Sequence, residues 1–194
     1  TGVQTCALPI STLSLAASKG VVALHEMGGP TIGGAEDLRT FLEVAADNAG
    51  PKVTGYWGQL ASEGGIELAR ELGAHGVGGD LFVDGSLGSH TAAVHEPYCD
   101  APDTRGVLYL SEDDIADHLV EATRAGIQAG FHVIGDAACA AVAAGFRRAA
   151  SIVGEQMLRA RRHRLEHAEM LSDADIATVI DLGACVSMQP IFDE

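Results

Sequence analysis

Gln128-Ala129-Gly130-Phe131-His132-Val133-Ile134, then Gly135-Asp136, then the alanine-rich run Ala137–Ala150, then Arg162-His163-Arg164-Leu165-Glu166-His167-Ala168: this stretch decides the fold. Two short β-rich runs flank a longer helical pattern. Such a unit places two parallel strands side by side with a helix packed against the sheet they form. The alternation repeats outward in both directions. Further β-rich runs are Val21–Met27, Val53–Gln59, Asp80–Ser86 and Ala184–Pro190. Further helical patterns are Ala35–Asn48, Ala61–Leu72, Glu112–Ala125 and Ser172–Leu182. Ser111 with Asp114, and Ser172 with Asp175, give the Ser-x-x-acid spacing that satisfies free N–H groups of a first helical turn. Gly126 and Gly183 stand where helices should stop. Six parallel strands result, and both a doubly wound open sheet and a barrel fit that count. No GxGxxG follows the first strand, and Gly28-Gly29-Pro30-Thr31-Ile32-Gly33-Gly34 lacks phosphate-loop spacing. The long Gly85–Leu110 connection follows a strand. In a barrel it belongs on the C-terminal face, where active sites are built.

The chain has 194 residues, 47% hydrophobic and 20% charged, which is a globular composition. A complete (β/α)8 barrel takes about 250 residues. The net charge of −15 repels phosphates and anionic lipid, so nucleic acid and membranes are not expected partners. Acidic balance is also ordinary for a soluble enzyme with a small-molecule substrate. No apolar run reaches the roughly 18 residues of a membrane span, and Ala137–Ala150 reads as a buried helix. Cys6, Cys99, Cys139 and Cys185 show no CxxC pair, which suggests reduced thiols and a cytoplasmic setting. The opening Gly2–Ile10 resembles a translated sequencing-library adapter. Residues 1–10 are therefore set aside from the fold, and residues 11–194 are taken as one partial barrel domain.

In parallel α/β folds, reactive groups collect at the C-terminal ends of strands. Those ends carry His132, His167, Asp80, Asp84, His25 and Gln189. A single strand histidine is usually structural, with a hydrogen-bonded ring. Two on successive strands, beside acidic residues, fit a metal pair equally well, because imidazole suits zinc and similar cations. His132 and His167 are thus metal-ligand candidates. Asp80 lies four residues before Asp84, as His132 lies four before Asp136, so Asp80 is expected at the height of His132. It is either a further ligand or a core acid paired with a cation. Asp84 either shapes the pocket mouth and contacts substrate or serves the tight turn that Asp-Gly favours. Gln189 and His25 either line the pocket or pack in the core. Glu166 alternates against His167 and is expected on the helix side, paired with an Arg.

Several of these pieces together resemble the YtcJ-like amidohydrolases, amidohydrolase family 3. The stretch Asp80-Leu81-Phe82-Val83-Asp84-Gly85-Ser86-Leu87-Gly88-Ser89-His90-Thr91-Ala92 resembles that family's strand-loop motif. Thr104-Arg105-Gly106, Phe131–Asp136, Arg162–His167 and Ser187-Met188-Gln189-Pro190 follow in the family's order. The resemblance implies an incomplete (β/α)8 barrel, about strands two to seven, with His132 and His167 holding a divalent metal, expected to be zinc. It implies that the first-strand His-x-His pair and the eighth-strand Asp base lie outside this chain, so that the chain alone is inactive and the whole protein is a possible homo-oligomer. Family members carry Lys where Asp80 stands, and Asp is too short to bridge two metals as a carboxylated Lys does. A single-metal site, or a site whose second metal position is weakened, is expected. The implied reaction is hydrolysis of an amide or carbamate C–N bond by a metal-activated water. Deaminase, lyase or isomerase chemistry on the same barrel, or a metal-free binding barrel, are the alternatives.

Overall fold

The computed structural model describes residues 2–193, and side-chain surroundings for residues 8–192. Six strands form one parallel sheet in the order of the chain: β1 Ala23–Gly28, β2 Lys52–Trp57, β3 Gly76–Val77, β4 Gln128–Val133, β5 Arg164–His167 and β6 Cys185–Ser187. Strictly sequential order, with no reversal, separates a barrel from a doubly wound sheet. The six strands make an incomplete TIM-like barrel, an α/β half-barrel. The helices are α1 Gly2–Ser18, α2 Ala35–Asp47, α3 Gly65–Glu71, α4 Glu112–Ala125, α5 Asp136–Val153, α6 Glu155–Arg161 and α7 Asp173–Asp181. Both Ser-x-x-Asp capping boxes form, at Ser111 with Asp114 and at Ser172 with Asp175. Gly126 closes α4 in the left-handed conformation at φ 75°, and Gly183 follows α7 at φ 70°.

Residues 2–10, set aside from the fold, lie within α1, whose Leu13 is buried and packs near Gly50. Two elements depart from the sequence reading. Helix α6 was not anticipated. The third strand is not Asp80–Ser86 but the two residues Gly76–Val77. Gly78, at φ 109°, and Gly79, at φ 83°, end it. A Cβ on Gly78 would lie 2.0 Å from the carbonyl oxygen of Gly130, so only glycine allows β3 to run this close to β4. The chain then rejoins β4 higher up: His132 N–H donates to Leu81 O, and Val83 N–H to His132 O, both at 2.9 Å.

The core lies between the sheet and its helices. Phe131, Val133 and Leu165 point toward α4 and α5, where Ile115, Leu119, Val142 and Phe146 are fully buried. Two histidines brace this layer. His118 Nδ1 accepts from Ala61 N–H at 3.0 Å, and its Nε2 faces Val77 O. His163 Nδ1 accepts from Ala129 N–H, and its Nε2 meets Thr123 Oγ1, both at 2.9 Å. Both rings are therefore neutral struts. Among the described residues no single helix is long and apolar enough to cross a membrane, and the alanine-rich α5 is a buried core helix.

Burial lowers the pKa of His118 to about 4 and of His163 to about 3. The folded rings bind protons less readily than unfolded ones, so these groups leave stability unchanged above about pH 6.5 and erode it as pH falls below that, levelling near their folded values. At about pH 5 each ring costs on the order of 2 kcal/mol. Urea midpoints near neutrality and near pH 5 should show this loss, and His163→Gln should remove part of the pH dependence while lowering stability at neutral pH. An unaltered pH dependence in the variant would show that the ring takes up its proton elsewhere.

β1 and β6 each have a partner on one side only. Near β6, Met188 and Phe192 are 62% and 61% exposed. Unpaired apolar edges template association between chains. Light scattering of the chain should rise with concentration, and Val186→Lys with Met188→Lys should suppress the rise; a monodisperse monomer throughout would contradict this.

Candidate metal centre

His132 stands near the end of β4, where Phe131 and Val133 face the helices and the alternation turns His132 to the opposite, concave face. Its Nε2–H donates to Gly85 O at 2.9 Å, which leaves Nδ1 directed at Asp80. The Nδ1 to Asp80 Oδ1 distance is 3.4 Å. His167 ends β5. Strand alternation alone would turn it toward the helices, since its neighbour Glu166 is the register partner of His132. Instead His167 and Ala168 take φ of 69° and 54°, and this left-handed pair swings the ring over the rim. Positive φ at two successive non-glycine residues is costly and tends to mark functional sites. His167 Nε2 lies 4.0 Å from the same Asp80 oxygen, and the two imidazole centroids are 4.7 Å apart. His167 Nδ1–H donates to Gln189 Oε1 at 2.7 Å.

Asp80, His132 and His167 each offer one donor atom, and these atoms lie within 4.8 Å of one another. Donors around a tetrahedral ion bound at 2.0–2.2 Å are separated by about 3.4 Å, so a small inward movement closes the set. Two imidazoles and a carboxylate, with a fourth position open, form a donor set that suits zinc in catalytic sites. Each ring's other nitrogen is already engaged, which fixes the tautomer that points a lone pair inward. The residues present fit a divalent metal. Burial disfavours the charged form of His132, but hydrogen bonds to Asp80 and Gly85 and the nearby carboxylates outweigh it, so its pKa is raised. A proton and a metal thus compete for Nδ1.

Asp84 is fully buried. Its carboxylate accepts N–H groups from Ala93 at 2.9 Å, Ile134 at 3.0 Å and Gly135 at 2.8 Å. Burial raises its pKa, and those three hydrogen bonds pull it back. Asp84 therefore shapes the mouth by tying the long loop to the end of β4. His25 lies away from the cluster: it is exposed on β1, near Tyr56, and meets Arg164 Nη1 at 2.6 Å. Glu166 does pair with an Arg, Arg164, but on the concave face and not on the helix side. The reason is that Leu165 takes the helix side. Sequence reading placed Gln189 only as a pocket or core residue; its contact with His167 was unreadable because the two are 22 residues apart across β5 and β6.

Fold and site together are those of a barrel protein with a candidate metal site, Asp80, His132 and His167, at its C-terminal rim. The chain belongs to the Amidohydrolase family, whose sequence pattern matches residues 11–194. It is 32% identical over 109 residues to Protein LONG AFTER FAR-RED 3 of Arabidopsis thaliana, covering 56% of this chain and 18% of that protein. It is 30% identical over 113 residues to the putative amidohydrolase YtcJ of Bacillus subtilis (strain 168), covering 58% of this chain and 20% of that protein. An uncharacterized metal-dependent hydrolase from Pyrococcus furiosus superposes with a TM-score of 0.72 at 27% identity, over 94% of this chain and 37% of its own. A second from Pyrococcus horikoshii OT3 shares the fold, with a TM-score of 0.71 at 22% identity over 93% of this chain and 35% of its own. The matches thus span about a fifth of these curated relatives and about a third of these solved chains.

Zinc affinity of the chain, measured by competition with a chromophoric chelator, should fall about 10–100-fold in Gln189→Leu, because the ring of His167 loses the acceptor that orients it. His132→Ala should remove binding. Equal affinity in both variants and the parent would dissolve the site.

Proposed function

We propose that this chain carries the metal centre of a hydrolase that cleaves a C–N bond other than a peptide bond, an amide or a carbamate. The observation that carries the reading is the convergence of Asp80, His132 and His167 at the rim with both outer ring nitrogens already satisfied. The family membership and the Pyrococcus furiosus hydrolase support it. A divalent metal there, zinc by the donor set, supplies Lewis acidity at the substrate carbonyl and brings the pKa of water toward about 7.

The chain's own residues divide the remaining work. Asp80, His132 and His167 would hold the ion. Gly85 and Gln189 hold the two rings. Asp84 keeps Gly85 and the end of β4 in place. One Asp80 oxygen faces both rings, and the Asp side chain is shorter than a carboxylated Lys, which together favour a single ion. Proton transfer to the leaving nitrogen needs a further acid–base group. The family's late-strand Asp, outside this chain, is the proposed one, and the chain alone is then inactive.

Metal analysis should find one tightly held ion per chain, and a longer reading frame containing the late Asp should hydrolyse amides or carbamates while residues 11–194 do not. Two tightly held ions would overturn the single-ion reading. Turnover by residues 11–194 alone would remove the need for the late Asp. A longer protein that deaminates ring amines but spares amides would replace the hydrolase reading.

A further inference from the structure

A cleft of about 520 Å³ opens beside Asp80 at the C-terminal ends of β1, β2 and β3. Its size is that of a small-molecule site. Leu60, Leu81, Phe82, Tyr109 and Leu110 give the wall its large apolar and aromatic side chains. The wall is graded. Leu110 at the floor is 8% exposed, while Phe82 and Tyr109 at the mouth are 38% and 53% exposed. Phe82 also stands edge-on to His132, with centroids 4.9 Å apart, so the cleft and the metal centre share a side chain.

The charges in this wall are all of one sign. Glu63, Asp80 and Asp84 are its only ionisable acids, and no Lys, Arg or His lines it among the described residues. Asp84 is saturated by three backbone amides, so it offers nothing to a ligand. Gln59 is likewise engaged, with Trp57 and the carbonyl of Glu63. A substrate carboxylate entering here would lose water and gain no cationic side chain from the wall, which is strongly unfavourable. An uncharged ring or branched chain would lose only its hydration against apolar walls.

We infer that the part of the substrate beside the metal centre is an uncharged apolar group, aromatic or branched, and that carboxylate-bearing acyl-amino acids are excluded from it. The inference rests on the metal-site reading above for where the scissile bond lies. The recognition itself belongs to the cleft and operates without a metal.

N-(2-phenylethyl)acetamide and N-acetylphenylalanine differ only by a carboxylate and serve as probes. Ligand-observed NMR on the metal-free full chain should show the neutral amide binding at least tenfold more tightly, a difference of about 1.4 kcal/mol. The preference should persist in Asp80→Asn, which removes the nearest charge. Tyr109→Arg, at an exposed mouth position, should narrow or reverse it. Equal or tighter binding of the carboxylate would overturn the inference, as would binding of neither probe. A preference that disappears in Asp80→Asn would overturn it too, by assigning the discrimination to one ligand residue. If the preference holds in the parent chain and in Asp80→Asn while the zinc-loaded longer protein hydrolyses no amide, the hydrolase reading fails and the neutral cleft stands.

Discussion

The buried carboxylate of Asp84 is the contact on which the rim depends. It gathers N–H groups from Ala93 in the long loop and from Ile134 and Gly135 at the end of β4. The next residue, Gly85, gives its carbonyl to His132. One side chain thus fixes the loop, the strand end and, through the backbone, the orientation of a metal ligand. Hydrogen bonds to an ionised acceptor are stronger than neutral ones, and burial strengthens them further. Gly135 is part of the same constraint: a Cβ there would lie 2.0 Å from Ala93 O, so the loop can seat only on glycine.

Much of this was legible because local chemistry and tertiary structure agree. The capping boxes at Ser111 and Ser172 were readable because both partners sit within one helical turn. His132 was readable because Phe131 and Val133 are apolar and the strand is regular. The illegible parts arise where the backbone leaves regular geometry. Gly78 and Gly79 cut β3 short, and nothing in the apolar run after them says that it only grazes β4. The helix over the opening residues was not legible, since Pro9 inside a stretch of mixed propensity argues against it.

His167 is the instructive case. Its assignment as a ligand came from resemblance and strand position; the observed register, which pairs Glu166 with His132, would by alternation alone turn His167 away from a site shared with His132. Two left-handed residues reverse that argument, and such dihedrals are invisible in a sequence without glycine or asparagine to announce them. The histidines also sort by partner rather than by type. His118 and His163 are neutral struts beneath the helices, whereas His132 and His167 each spend one nitrogen on an acceptor and keep the other for the rim.

Glu166 shows how the donor set stays at three. It is the register partner of His132 and faces the same concave side, so by position it could rival Asp80 as a ligand. Arg164 holds it instead, in a part-buried ion pair on the same strand. Arg164 in turn lies 5.5 Å over the ring of Tyr56 and contacts His25, so its own charge is held on three sides. An acid paired in this way is costly to release, since freeing it strands a cation in the interior. The inner face therefore holds two acids in different settings: Asp80, partly exposed at the rim, faces the rings of His132 and His167, and Glu166 is committed to a cation of the chain.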